Sequence, residues 1–284
     1  MTKIDLHVHS TCSDGLLSPG EVVKKAAAEG VTLLALADHD SIAGVQTAIS
    51  AGKMTGVTVL AAVELSVEYH QYHDVHLLGF GINSGDPRLS ALLAKFQERR
   101  ETRGERIVER INDKLAGEGR APIAVAAVQA LAGGALGRPH IARVLMEAGY
   151  VREMEDAFAR YLEPCNVPKE YFPVADAISE IHRVGGVAVL AHPQSVSVDM
   201  ALIRRIVGEL KSLGLDGIEA HNTMGSNNDA LALERLAMDL GLLTTGGSDF
   251  HGFGDDSPMG TIRGVPIPVK CGAELLARLN PSRK

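Results

Sequence analysis

Residues 4–15 read IDLHVHSTCSDG, and this stretch combines a strand pattern with an unusual set of polar side chains. In an extended chain, residues two apart point to the same face. Asp5, His7 and His9 therefore share one face, whereas the aliphatic residues between them share the other. The pattern predicts a strand with an apolar back, packed against helices, and a polar front that faces a site.

The segments that follow alternate between helix and strand patterns. In SPGEVVKKAAAEG, Ser18 and Glu21 have capping-box spacing and Gly30 can end the helix. VTLLALADHD predicts a buried strand, which a helix around residues 42–52 follows. VTVLAAVELSVEY and DVHLLGFGI predict a third and a fourth strand. Such near-continuous apolar runs, alternating with helices, indicate a mainly parallel sheet.

The alternation stops between residues 87 and 171, where the patterns are helical, and it resumes with VAVLAHP, DGIEAHN and LLTTGGSDFHG. About seven strand–helix units favour an α/β fold of the (β/α)7 TIM-like barrel type, with an open sheet as the alternative. We therefore expect a barrel core in two parts, 1–86 and 172–284, and an inserted helical subdomain, 87–171, that acts as a substrate lid.

Composition narrows the class of protein. The net charge of −7 argues against an extensive basic surface that binds nucleic acid, although a local site can still bind a small anion. The three cysteines form no CxxC pair, which favours a reducing compartment. No apolar run approaches the ~18 residues of a membrane span, and no signal peptide is visible. We expect a cytoplasmic protein with no membrane partner; its oligomeric state is left open.

Polar residues recur where successive strands are predicted to end. The carboxyl ends of parallel strands gather on one face, where active sites form. A lone histidine at such a place is more often structural, but chance would scatter the eleven histidines among helices and loops as well. A mixed histidine and carboxylate set without thiolate pairs suits hydrolysis assisted by Mn²⁺, Fe²⁺, Zn²⁺ or Mg²⁺. The set comprises His7, His9, His39, Glu64, His76, His192, His221, Asp249 and His251.

Six short motifs carry a family resemblance. HVHS with Asp14, then ADHD, Glu64, HLLG, AHP and SDFH resemble the ordered motifs of the polymerase-and-histidinol-phosphatase (PHP) family of phosphoesterases. The resemblance covers about residues 3–85 and 172–252, and it implies a distorted seven-stranded barrel with three divalent metal ions. We expect these ions to be Mn²⁺, with Fe²⁺, Zn²⁺ or Mg²⁺ as alternatives. ERRETR and GRPHIARVL, in the insertion, resemble nucleoside 3′,5′-bisphosphate phosphatases and enzymes that degrade short RNA from its 5′ end.

The resemblance assigns nine side chains to three metal positions. His76 is chosen over His73 because HLLG carries the family match, and His73 is the alternative. The expected ligands are His7, His9, Glu64 and Asp249 for the first metal, Glu64, His76 and His192 for the second, and Asp14, His39 and His251 for the third. The expected catalytic residues are His7, His9, Glu64, His192 and Asp249.

The charges of this site suit a phosphate ester. Three divalent ions bring six positive charges, and the carboxylates of Asp14, Glu64 and Asp249 return three negative ones, so the site stays cationic inside an acidic protein. We expect in-line attack of a metal-bound hydroxide on phosphorus, without a covalent enzyme intermediate.

The choice of substrate rests on other residues. Arg99, Arg103 and Arg106 share one face of a predicted helix, either as a clamp for a second phosphate or as a solvated basic face paired with glutamates. The third metal, or an acid such as His221 or His192, is expected to help the leaving group depart. The expected substrate contacts are Ser13, Arg99, Arg100, Arg103, Arg138, His140, His221 and Asn222.

The leading hypothesis is removal of the 3′-phosphate from a nucleoside 3′,5′-bisphosphate, with a small nucleotide as the partner. Its rival is a 5′–3′ exonuclease that accepts the ends of short oligonucleotides. A 5′-nucleotidase or a histidinol-phosphate phosphatase would use the same chemistry. A non-catalytic metal-binding module and a metal-dependent amidohydrolase are the alternatives from other classes.

Overall fold

A computed structural model describes residues 2–132, 136–168, 171–254 and 256–280, with the backbone alone at residues 73 and 74. The first part contains β1 (Lys3–Val8), α1 (Pro19–Ala28), β2 (Val31–Leu36), α2 (Val45–Thr55), β3 (Thr58–Tyr69) and β4 (Tyr72–Phe80). Helices follow: α3 (Pro87–Gly117), α4 (Val125–Ala132), α5 (Arg138–Glu147), α6 (Met154–Ala157) and a π-helical turn (Phe158–Leu162). The last part contains β5 (Phe172–Pro173), α7 (Val174–Arg183), β6 (Val187–Leu190), a 3₁₀ turn (Pro193–Ser195), α8 (Met200–Ser212), β7 (Gly217–His221), α9 (Asn227–Leu240), β8 (Leu243–Gly246), β9 (Thr261–Ile262), β10 (Val265–Pro266) and α10 (Val269–Leu279).

The helices follow the local signals of the sequence closely. The predicted capping box of α1 is confirmed: the Ser18 hydroxyl accepts the N–H of Glu21, and the Glu21 carboxylate accepts the N–H of Ser18 at 2.9 Å. Helix α2 begins at Val45, later than predicted, because residues 43 and 44 form a turn. Among the helices of the described ranges, none combines the length and the apolarity that crossing a membrane requires.

The strands form one mixed sheet in the order β1-β2-β3-β4-β6-β7-β8, with β5 paired to β3. The predicted mainly parallel sheet is confirmed, except that β4 runs antiparallel to both β3 and β6. The exception has a local cause. Only His70 and Gln71 separate β3 from β4, and so short a connection joins antiparallel neighbours, whereas a parallel crossover needs a dozen or more residues.

The predicted closed barrel is not confirmed. Within the described residues, no strand ladder joins β1 to β8, so the sheet stays open between its two end strands. Two hydrogen bonds just beyond β8 nevertheless hold the ends together. The N–H of Asp249 donates to the His7 carbonyl at 2.9 Å, and the N–H of His9 donates to the Phe250 carbonyl at 2.8 Å. The carboxyl ends of the first and last strands therefore meet without a closed sheet.

The helical stretch has its own hydrophobic cluster. Ile107, Ile111 and Leu115 of α3 pack there with Leu145 of α5 and Tyr161, and all five are buried. Separate clusters cover the two faces of the sheet. Burial of a large apolar side chain contributes roughly 1.5–3 kcal/mol, so the helices hold together largely through contacts of their own. The division at residues 1–86, 87–171 and 172–284 stays a prediction.

Candidate metal centre

The nine predicted ligands converge at one edge of the sheet, where the parallel strands end. His7 lies in β1, and His9 and Asp14 follow it; His39 follows β2, and His192 follows β6. Asp249 and His251 follow β8, while Glu64 and His76 lie within the β3–β4 hairpin. The alternative ligand His73 lies outside the described side chains. Strand ends thus collect side chains that are far apart in the sequence.

These side chains form four overlapping groups, and within each group the candidate ligand atoms all lie within 4.8 Å of one another. Shared members connect the groups, because His7, His9, His39 and Glu64 each belong to two of them. The groups are His7, His9 and Asp249; His7, Glu64 and His192; His39, Glu64 and His76; and His9, Asp14, His39 and His251.

Glu64 lies at the centre of the cluster, and its two oxygens face different partners. Oε1 lies 3.0 Å from both His76 Nδ1 and His192 Nε2. Oε2 lies 2.8 Å from His39 Nδ1 and 3.3 Å from His7 Nε2. The carboxylate is fully buried. One carboxylate with imidazoles on both oxygens has the arrangement of a ligand shared between two cations.

The donor set fits divalent metal ions. Among the expected ligands, three buried atoms have no hydrogen bond of acceptable geometry, although ionisable partners lie nearby: Asp14 Oδ1, His39 Nδ1 and Glu64 Oε2. His7 Nε2 and His9 Nε2 also face each other at 3.1 Å. Buried polar groups are normally satisfied, so this convergence of carboxylate oxygens and imidazole nitrogens is what a bound divalent cation would require. Imidazole and carboxylate ligands suit Mn²⁺, Fe²⁺ and Zn²⁺.

The protonation equilibria support this interpretation. Burial lowers the pKa of His9 to about 3 and that of His76 to about 4, which keeps both imidazoles neutral. Burial opposes ionisation of Asp14 and Glu64, but the surrounding imidazoles outweigh it and hold both pKa values well below their usual range. Conversely, burial disfavours charge on His251, but Asp14 raises its pKa to about 10. The carboxylates therefore attract positive charge, which protons or metal ions can supply, and metal binding releases such protons.

Glu219, in β7, orients two of the histidines, and the sequence did not reveal it. Its Oε1 lies 3.0 Å from His7 Nδ1, and its Oε2 accepts the N–H of His192 at 2.8 Å. The latter bond holds a backbone with φ of +23° at His192. A hydrogen bond at Nδ1 directs the lone pair of Nε2 toward a metal. The available signal was a single glutamate inside the apolar strand DGIEAHN.

Gly247 allows the chain after β8 to approach His7. A Cβ atom at this position would lie 2.1 Å from the Cβ of His7 and 2.6 Å from its backbone nitrogen. Only glycine can occupy such a position without displacing β1. The close approach places Asp249 beside His9, with Asp249 Oδ1 3.1 Å from His9 Nε2.

A cavity of about 330 Å³ opens onto the cluster. Of the predicted substrate contacts, the structure brings Arg100, Arg103 and Arg138 to this cavity. Arg100 bonds to Asp40 and Ser66, and Arg103 donates to the Val167 carbonyl and to Asn166. The other lining residues are Asp14, His39, His76, Leu136, Gly137, Pro139, Phe158, His192, Ser195, Met224 and Asp249.

Arg99 lies in a neighbouring cavity of about 250 Å³. Arg106 also lines that cavity, and Arg100 and Arg103 line both. The basic face predicted for α3 is therefore not simply solvated, since it forms one wall of two adjacent cavities. The guanidinium carbon of Arg99 lies 5.8 Å from the centre of the Phe96 ring.

Four of the predicted contacts line neither of these two cavities. The Ser13 hydroxyl is buried and donates to Asp38 at 2.7 Å. His140 is buried, and its Nδ1 accepts the N–H of Gly137 at 3.0 Å. Each of these side chains serves local structure, as an anchor of the loop after β1 or as the start of α5.

The other two corrections concern β7 and the loop after it. His221 Nε2 lies 2.9 Å from Glu234 on α9, because the strand register shifts between Glu219 and His221. The shift turns His221 away from the face that Glu219 occupies, so the structure does not bring this candidate acid to the metal cavity. Asn222 is buried, and its amide bonds to Gln194, the Glu219 carbonyl and the N–H of Met224.

Comparisons with known proteins agree with this geometry. The sequence model of the PHP domain matches residues 5–166. A 5′-3′ exoribonuclease of Haemophilus influenzae is 38% identical over 252 residues, which cover 88% of this chain and 90% of the relative. A 3′,5′-nucleoside bisphosphate phosphatase of Chromobacterium violaceum is 34% identical over 267 residues, which cover 90% of this chain and 89% of the relative.

The fold agrees with a solved structure as well. A crystal structure described as a putative metal-dependent phosphoesterase from Bifidobacterium adolescentis superposes with a TM-score of 0.82 at 29% identity. The match covers 96% of this chain and 95% of that chain. Similarity therefore extends across the helical stretch as well as the sheet, and the resemblance drawn from the six motifs is confirmed.

Proposed function

This chain belongs to the PHP domain family of metal-dependent phosphoesterases, and from that premise we propose that it removes the 3′-phosphate from nucleoside 3′,5′-bisphosphates. The products are a nucleoside 5′-monophosphate and inorganic phosphate, and water is the second reactant. One observation carries the proposal: the four overlapping ligand groups open into a cavity that three arginines also line. Such a cavity can hold one phosphate at the ligands and a second at the guanidinium groups.

Three divalent ions, with Mn²⁺ as the first choice, would be held by nine side chains. Bound ions of this kind lower the pKa of a water molecule and neutralise the phosphoryl oxygens. Glu64 would be shared between two positions, because its oxygens face separate imidazoles. The proposed groups are His7, His9, Glu64 and Asp249; Glu64, His76 and His192; and Asp14, His39 and His251.

The chain's own residues bind and orient the substrate. Arg100 and Arg103 are positioned by bonds to Asp40 and to the Val167 carbonyl, so their guanidinium groups are already ordered at the cavity wall. Arg138 lies at the first position of α5, where the positive end of the helix dipole also favours an anion. Pre-ordered cations reduce the entropy that phosphate binding costs.

The remaining features concern the partner and the compartment. An overall charge of −7 favours a small nucleotide over an extended nucleic acid as the partner. All three cysteines are unpaired, which favours the cytoplasm as the compartment.

A 5′–3′ exonuclease acting on short oligonucleotides is the second candidate. The neighbouring cavity favours it, because Arg100 and Arg103 line both cavities and a chain of two or three nucleotides could extend from one to the other. The exoribonuclease relative from Haemophilus influenzae supports the same alternative.

Turnover of the Mn²⁺-reconstituted protein tests the proposal. The substrates are adenosine 3′,5′-bisphosphate, AMP, a 5′-phosphorylated trinucleotide and histidinol phosphate, with the products separated by chromatography. We expect rapid conversion of the bisphosphate to AMP and more than ~100-fold loss in His7→Asn. His182→Asn is the matched control, since His182 pairs with Asp216 at the surface. Mononucleotide release from the trinucleotide, with little bisphosphate turnover, would establish the exonuclease instead.

A further inference from the structure

The cavity at the metal centre has an apolar side that phosphate chemistry does not require. Leu136, Pro139 and Phe158 come from the helical stretch, and Met224 comes from the loop after β7. A cavity of about 330 Å³ is larger than a phosphate needs and lies within the range of small-molecule sites. The apolar residues therefore indicate a ligand with an uncharged, flat or hydrophobic part.

Phe158 supplies an aromatic ring whose position is fixed. The residue begins the π-helical turn Phe158–Leu162, a rare conformation that is frequent at functional sites. Phe158 packs against the hydrophobic cluster of the helices, and the guanidinium carbon of Arg138 lies over its ring, 5.5 Å from the centre, so the two planar groups line the cavity together. An ordered ring at a cavity wall loses little entropy when a second aromatic group stacks on it.

Met224 supplies a second apolar surface on an ordered backbone. Its side chain is 54% exposed, although it lines a cavity that is otherwise rich in charge. Its N–H donates to Asn222 Oδ1 at 2.9 Å, and the Asn222 amide is itself held by Gln194. A flexible thioether on a fixed backbone adapts to aromatic rings of different shapes.

We propose that Phe158 and Met224 form the binding surface for the nucleobase of the substrate. This role rests on the proposed function, because it needs a nucleotide whose phosphate lies at the ligand cluster. The side chains of Phe158 and Met224 carry no hydrogen-bond donor, so these two residues contact the face of the base and not its edges. Asn222, predicted from the sequence to contact the substrate, acts instead by positioning Met224.

Paired substrates with and without a base test this subsite. KM and kcat are measured for adenosine 3′,5′-bisphosphate and for the base-free methyl riboside 3,5-bisphosphate. Removing a stacking ring costs roughly 1–3 kcal/mol, so Phe158→Leu should raise KM for the nucleotide by about 5- to 150-fold and leave the base-free substrate unchanged. Phe158→Tyr, which keeps the ring, should retain the wild-type preference.

Met224→Ala should raise KM for the nucleotide selectively, and its matched control is Met238→Ala, on α9 and 74% exposed. Equal losses on both substrates in Phe158→Leu would mean that the ring is structural and would overturn the proposal.

A calorimetric comparison of AMP binding with ribose 5-phosphate binding distinguishes failure of the subsite from failure of the proposed function. If neither bisphosphate is turned over, tighter binding of AMP that Phe158→Leu abolishes still supports the subsite, and equal binding of the two ligands refutes it.

Discussion

Replacing Glu219 with glutamine should weaken metal binding without unfolding the protein. The carboxylate is 1% exposed and serves two donors: the Nδ1–H of His7, when Nε2 is the ligand atom, and the N–H of His192. A glutamine amide has one oxygen, so it can accept from only one of these donors. Its NH₂ group then faces the other donor, and one charge-assisted hydrogen bond is replaced by a repulsive contact.

The expected magnitude follows from the two ligands affected. Glu219 contacts both His7 and His192, so its substitution affects both. His7 belongs to two ligand groups, and His192 shares one of them. Substituting a group that orients metal ligands typically costs about 10- to 100-fold in affinity, which corresponds to about 1.4–2.7 kcal/mol. We expect Glu219→Gln to lower the Mn²⁺ affinity by this factor, and kcat to fall with metal occupancy.

Competition with a metal-binding dye, checked by calorimetry, measures the affinity directly. Glu234→Gln is the matched control, because Glu234 also accepts from a histidine, His221, but lies outside the metal cavity. Wild-type affinity in Glu219→Gln would refute the orienting role. An equal loss in Glu234→Gln would show that the effect reflects general destabilisation of β7 and α9.

Three further outcomes are expected. Gly247→Ala should reduce the free energy of unfolding by about 1–3 kcal/mol and abolish turnover, because the new Cβ would overlap His7. Gly254→Ala, which adds a Cβ with no atom within 4 Å, should change neither property. Thermal unfolding measures the stability, and an activity assay measures the turnover. Divalent ions at about one hundred times their dissociation constant should add about 2.7 kcal/mol to the free energy of unfolding for each ion bound, and a chelator should remove this gain. The hydrogen bonds from Arg183 hold the pKa of Asp86 below its usual 3.8. The pair therefore stabilises the fold fully above that pH, and the stabilisation is lost as the pH falls below it. In urea unfolding, the loss of stability caused by Arg183→Met should be smaller at about pH 3 than at about pH 7.

Local patterns predicted the elements of the fold because each depends on neighbouring residues. The capping box at Ser18 and the alternating face of β1 are examples. The antiparallel direction of β4 depends on the two-residue connection at His70 and Gln71, which carries no glycine to mark a tight turn. The meeting of the two end strands without a closed sheet depends on hydrogen bonds between β1 and residues 249 and 250, and periodicity carries no information about such distant pairs.

The same distinction between local patterns and long-range contacts applies to the residues of the site. The nine expected ligands lie together because β1, β2, β6 and β8 end near them and the β3–β4 hairpin carries the other two, but their assignment to metal positions came only from the family resemblance. His221 was predicted as a site residue and Glu219 was missed, because a regular strand places both on one face, whereas the observed register shift separates them. The burial of Ser13 against Asp38 depends on a loop fold that the residues of the loop do not specify individually.

Arg100 connects the specificity of the helical stretch to the geometry of the ligands. Its Nη2 lies 3.1 Å from Asp40 Oδ2 and 3.2 Å from Ser66 Oγ, and the N–H of Ser66 donates to Asp40 Oδ1 at 2.9 Å. Asp40 is adjacent to His39, and Ser66 lies on the strand that carries Glu64. A side chain that lines the substrate cavity is therefore anchored to the backbone that positions two ligands. Exchanging the helical stretch to alter the choice of nucleotide should also perturb metal binding unless this anchor is preserved.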